Sequence, residues 1–181
     1  MRTKDLGCGM RSITWLPFLF FLLISGLAKA QSRDWRSSID EKVQVADSLS
    51  LRSQKIFYLN KFLKDERPVK ETWYYTLQDG RLIIFEVKYV ADSIEYSEIY
   101  YLDNSRLICM EQYEVPYLSV YTDQVKSGAA MFFDNESLRQ YVVTGSQKNE
   151  VRWKAANESL RRFEERFDEL RKTIQYAPPR R

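Results

Sequence analysis

Histidine is absent from this chain of 181 residues, and cysteine, proline and glycine number only two, five and six. Without imidazole there is no Ser-His-Asp or Cys-His relay, no side chain titrating naturally near neutrality, and no zinc site with histidine ligands. Two cysteines are too few for a structural zinc or iron–sulfur centre. No catalytic residue, metal ligand or cofactor is therefore assigned from the sequence.

The N-terminus carries the pattern of a secretory signal peptide. Arg2, Lys4 and Arg11 form a positive start, and Ile13 to Leu27 is an uncharged, mostly apolar run. Ala28 and Ala30 then place small residues at −3 and −1, which predicts cleavage before Gln31. A spanning helix needs about 20 apolar residues, and this run is interrupted by Pro17, Ser25 and Gly26. Leu6-Gly7-Cys8 ends like a lipoprotein cleavage box, but such a box must follow the apolar run, and here it precedes it. The expectation is an exported protein, periplasmic or extracellular, with residues 1–30 removed and no membrane span afterwards.

Removing that segment changes the charge. The formal +3 of the whole chain falls to zero, because residues 1–30 hold Arg2, Lys4, Arg11 and Lys29 against Asp5 alone. A nucleic-acid partner would need a clustered basic face, and the balanced chain argues against one. A single cysteine remains, Cys109, so an exported domain of this size must rely on its core rather than on a disulfide. Its apolar setting, Leu107-Ile108-Cys109-Met110, reads as a small buried hydrophobe.

Residues 31–181 read as one α+β domain in three blocks. Residues 31–66 form a helix, on the steps of three, four and seven among Ile39, Val43, Ala46, Leu49, Ile56, Leu59, Phe62 and Leu63, with a break near Ser48–Ser53. Residues 71–144 shift to a period of two and to Tyr, Ile, Val and Phe, which favour a pleated surface. Residues 149–176 return to a helix, long and amphipathic, with Leu160, Phe163, Phe167, Leu170 and Ile174 in one stripe.

Within the middle block a hairpin pattern recurs. Tyr74-Tyr75-Thr76-Leu77-Gln78-Asp79-Gly80-Arg81-Leu82-Ile83 is echoed by Tyr100-Tyr101-Leu102-Asp103-Asn104-Ser105-Arg106-Leu107-Ile108, and more faintly by Phe132-Phe133-Asp134-Asn135-Glu136-Ser137-Leu138. Asp or Asn followed by Gly or Ser supports a tight reversal, so three hairpins in series predict an antiparallel meander of about six strands. In the second copy Ser105 stands where glycine would be expected, so Asn104 or Ser105 must bear any positive φ. Membrane-occupation repeats also use tyrosine hairpins, but they need several glycines per repeat, and residues 31–181 hold only Gly80, Gly128 and Gly145. The chain more closely resembles small exported bacterial proteins of unassigned function with repeated Tyr-Tyr-x-Asp-Asn-Gly-x-Leu-Ile β-hairpins between two helices. That resemblance implies an architecture and no activity.

Charge is unevenly spread. Glu71 to Val115 carries nine acids and three bases, while residues 31–70 and 150–181 are each net +3. Basic helices lying on an acidic sheet account for this by mutual complement. The alternative is an acidic face that attracts a cationic partner or a hard cation. Glu86 and Glu111 occupy matching positions in the first two hairpins, as an acid–base pair on one sheet face would require. Trp73, Tyr75 and Tyr100 offer rings able to stack on a sugar or grip a peptide. The expected function is thus a non-catalytic binding module for a protein, peptide or glycan, with Trp73, Tyr75, Glu86, Tyr100 and Glu111 as candidate contacts. Two other readings are a His-independent hydrolase or lyase using strand carboxylates, and a scaffold subunit assembling through the C-terminal helix.

Overall fold

A computed structural model of the chain describes residues 16–62, 66–117, 125, 127–145 and 152–176, with side chains from residue 35 and, in the C-terminal helix, from residue 157. The start of the signal-like segment, Cys8 included, lies outside the described residues. The first helix, α1, runs from Leu16 to Ser53. Seven strands come after it: β1 (Lys55–Phe62), β2 (Pro68–Gln78), β3 (Arg81–Ala91), β4 (Ile94–Asp103), β5 (Arg106–Pro116), β6 (Ser127–Asp134) and β7 (Ser137–Gly145). They pair antiparallel in sequence order as one sheet, and the helix α2 (Arg152–Thr173) closes the chain. The architecture is α+β. By contact density the chain divides into two units, Met1–Ser38 and Ile39–Arg181, and the whole sheet, its turns and α2 belong to the second. Among the described residues no helix is long and apolar enough to cross a membrane.

The strand count is seven rather than six, because the end of the expected first helix is a strand. Lys55-Ile56-Phe57-Tyr58-Leu59-Asn60-Lys61-Phe62 satisfies both periods at once, since Ile56, Leu59 and Phe62 are also three apart. Packing decides between the two. Pairing with β2 turns Phe57 onto Trp73, ring centroids 5.5 Å apart and nearly parallel, and packs Leu59 against the core. The helix stops at Ser53, whose hydroxyl donates to the Leu49 carbonyl at 2.9 Å.

Four two-residue turns join β2 through β5 and β6 to β7. Both central residues of each have positive φ: Asp79 and Gly80, Asp92 and Ser93, Asn104 and Ser105, Asn135 and Glu136. That is the mirror-image turn whose twist matches paired strands. Asn104 and Ser105 therefore share the left-handed conformation, where one residue was expected to bear it. Three of the hairpins carry a bulge at the same distance from the turn, adding Ile83, Ile108 and Arg139 to their strands. Neighbouring turns are tied together: Arg81 donates to Asn104 Oδ1 and Arg106 to Asn135 Oδ1, each at 3.2 Å.

One sheet face seats α2. Trp73, Phe85, Tyr100, Met110, Met131 and Phe133 are closed from solvent there, together with Phe163 and Leu170 of the helix. Fully burying each large apolar side chain contributes roughly 1.5–3 kcal/mol. Just past the end of the helix Gln175 lies in the left-handed region at φ 51°, with the Tyr176 amide donating back to the Arg171 carbonyl at 3.0 Å. This is the usual way of satisfying a last-turn carbonyl. The Tyr176 hydroxyl then accepts from the Leu82 amide at 3.1 Å, pinning the helix end to the sheet. On the opposite face, Asp47 of α1 accepts from the Tyr101 hydroxyl at 3.0 Å and Lys42 donates to Asp103 at 2.6 Å.

Candidate binding cleft

The five residues singled out from sequence do not meet at one place. Trp73 and Tyr100 have no solvent exposure and lie beneath α2, so a ligand could reach neither without lifting the helix. Tyr75 is partly buried beside Phe57, ring centroids 6.1 Å apart. Glu86 and Glu111 do share a face, but it is the other one, and Ile99 of β4 stands between them in the register. Each has its own neighbour: Ser97 donates to Glu86 at 2.7 Å and Tyr113 to Glu111 at 2.9 Å. Cys109 is fully buried.

Buried charge instead gathers where α2 crosses the sheet. Arg166 Nη1 donates to Glu71 Oε1 at 2.7 Å and its Nε to Glu98 Oε2 at 3.2 Å, while Arg162 Nε donates to Glu98 Oε1 at 2.6 Å. Trp73 Nε1 adds a bond to Glu71 at 3.0 Å, and the Tyr100 hydroxyl one to Glu98 at 2.9 Å. Glu71 and Glu98, each 5% exposed, are thus held by opposite charges and hydrogen bonds, as buried carboxylates require. Burial works against the Arg162 guanidinium, but its bond to Glu98 and that carboxylate's charge outweigh it, lifting its pKa above the ordinary arginine value. Here the basic helix neutralises the acidic sheet.

Beside this cluster the same sheet face opens. Between residues 158–162 of α2 and strands β3 to β7 lies a cleft of about 690 Å³, within the roughly 300–1,000 Å³ usual for small-ligand sites. Tyr89 and Tyr96 stack across the β3–β4 ladder with centroids 5.0 Å apart and planes 13° from parallel. Tyr141 of β7 lines the same space, as do Gln112, Glu114, Glu158, Arg161 and Arg162. All three rings are only partly buried. Burial pushes the Tyr89 phenol up from its ordinary pKa, and the negative charge of Glu98 adds to it.

Ser127 also borders the cleft; it is 4% exposed and its hydroxyl has no hydrogen-bond partner among the described residues. The β6 backbone comes close to its neighbours at the next residue. A Cβ on Gly128 would lie 2.8 Å from Thr144 Oγ1 and 3.0 Å from the Tyr113 ring, so a larger residue there would make the Thr144 side chain shift.

The tyrosines of this cleft carried a signal that composition alone conceals. Tyr89 and Tyr96 stand symmetrically about the Asp92-Ser93 turn, so a two-residue reversal makes them direct cross-strand partners. Ser127 and Tyr141 offered no comparable cue, since their approach depends on the pairing of β6 with both neighbours. No protein-family model, curated protein or solved structure matches the chain.

Proposed function

We propose that this protein is an exported, non-catalytic binding module, its sheet built from three copies of one hairpin unit, and that its contact surface is the tyrosine-lined cleft beside α2. The observation that carries this reading is the stacked Tyr89–Tyr96 pair, only partly buried on the wall of the cleft. A core normally closes such rings, whereas a binding site keeps them for its ligand. The matching turns and bulges support the copied unit, and the pattern of residues 1–30 supports export. Catalysis by Glu86 and Glu111 would need both to act on one substrate across the width of β4. Assembly through α2 would need a stripe that already packs on the sheet.

The test immobilises the chain as processed by a secreting host and measures what it retains among exported proteins, peptides and glycans. A Tyr89→Ala/Tyr96→Ala chain is run alongside. The reading expects a species held by the natural chain and released by the variant. Equal retention by both, or retention of nothing by either, contradicts it.

A further inference from the structure

We infer that the cleft takes a neutral saccharide. This inference rests on the cleft being the contact surface and adds the chemistry of what enters it. The charges around it have mixed sign, and most are already engaged. Glu98 is held by Arg162 and Arg166, and Arg161 by Glu165 at 2.6 Å. A polyanion would meet the Glu114 and Glu158 carboxylates, which line the cleft. A cation would meet the two guanidiniums. Either would also lose its own hydration on entry, at a cost that mixed surroundings repay poorly.

An uncharged polyol avoids both penalties. Its hydroxyls donate and accept, and so do the groups that line the cleft: the Glu114 and Glu158 carboxylates accept, and the Gln112 amide does both. Its flat C–H face matches the negative face of a tyrosine ring, and the stacked Tyr89–Tyr96 pair presents such a ring beside those polar groups. A lipid chain is the wrong complement, since phenols, carboxylates, amide and guanidiniums dominate the walls.

The experiment titrates the full, processed chain by calorimetry with neutral oligosaccharides of glucose, xylose, mannose, galactose and N-acetylglucosamine. Heparin and an oligolysine peptide serve as charged probes. At least one neutral oligosaccharide is expected to bind, with an affinity nearly unchanged between low and high salt. Tyr96→Ala should weaken it by about tenfold or more, as loss of a central ring does at other sites, and Tyr89→Ala by a similar factor. Unchanged thermal unfolding of both variants shows that the effect is local.

Binding of oligolysine or heparin alone, suppressed by salt, overturns the saccharide; if Tyr96→Ala abolishes that binding, the cleft stands as the contact surface. A neutral oligosaccharide that binds equally to the natural chain and both variants overturns the cleft itself. Binding of none of the probes overturns the saccharide inference.

Discussion

The two ends of the seat beneath α2 are made of the same material and behave in opposite ways. At one end Trp73, Phe85 and Tyr100 stack under Phe163 and Phe167, with Phe85 and Tyr100 only 4.5 Å apart between centroids. At the other, Tyr89 and Tyr96 stack with centroids 5.0 Å apart on the same face, yet Glu158, Arg161 and Arg162 of α2 line a space left open beside them. Aromatic content therefore does not separate core from site. What the helix places opposite the rings does: phenyl groups close the gap at one end, and Glu158, Arg161 and Arg162 border the opening at the other.

The contrast breaks most visibly at the closed end. Phe85→Ala should cost about 3–5 kcal/mol, the usual loss for a large ring in a tight core, read by denaturant unfolding. Arg166→Met should cost a similar ~3–5 kcal/mol, because it strips Glu71 of its guanidinium partner and leaves a buried charge uncompensated. Replacing Glu71 together with Arg166 by apolar residues should recover much of that loss. If the single and double variants unfold alike, the cluster does not hold the helix down.

A smaller effect separates the rings by pH. Burial raises the Tyr100 phenol from its ordinary pKa of 10.0, and the charge of Glu98 and the bond to it raise it further. Tyr101 and Tyr113 shift in the same direction, first through burial and then through Glu111. The folded chain then holds these protons more tightly than the unfolded chain. Their contribution to stability is complete below about pH 10 and is lost as the pH rises through and beyond that value. Melting temperatures followed into alkali should fall, and Tyr100→Phe should flatten the fall. An identical slope in both proteins would contradict the assignment.

The smallest effect lies in the turns. Ser105 occupies the left-handed region at φ 65°, which costs a non-glycine residue about 1 kcal/mol. Ser105→Gly should recover part of this and raise the melting temperature. A drop would mean that the hydroxyl stabilises the turn.

These elements also mark how far the sequence could be read. The three repeated turns, the period-two block and the apolar stripe of α2 were legible because local chemistry dictates each of them: turn residues, strand formers and helical spacing. Strand β1 was not, since Ile56, Leu59 and Phe62 fit a helix until Trp73 arrives to pack on Phe57. The candidate contacts are scattered for a related reason. Parity places Trp73, Tyr75 and Tyr100 on one face, but only the docking of α2 decides which rings on that face remain open. The complementary charge of helix and sheet was legible in bulk, though the particular bonds of Arg162 and Arg166 to Glu98 were not.

Hydroxyl-radical footprinting of the intact chain, read ring by ring by mass spectrometry, tests the division of this face most directly. The account predicts that Tyr89, Tyr96 and Tyr141 are oxidised readily while Trp73, Phe85 and Tyr100 stay silent. Oxidation of Trp73 and Tyr100 at the rate of Tyr96, or silence at Tyr89 and Tyr96, would contradict it.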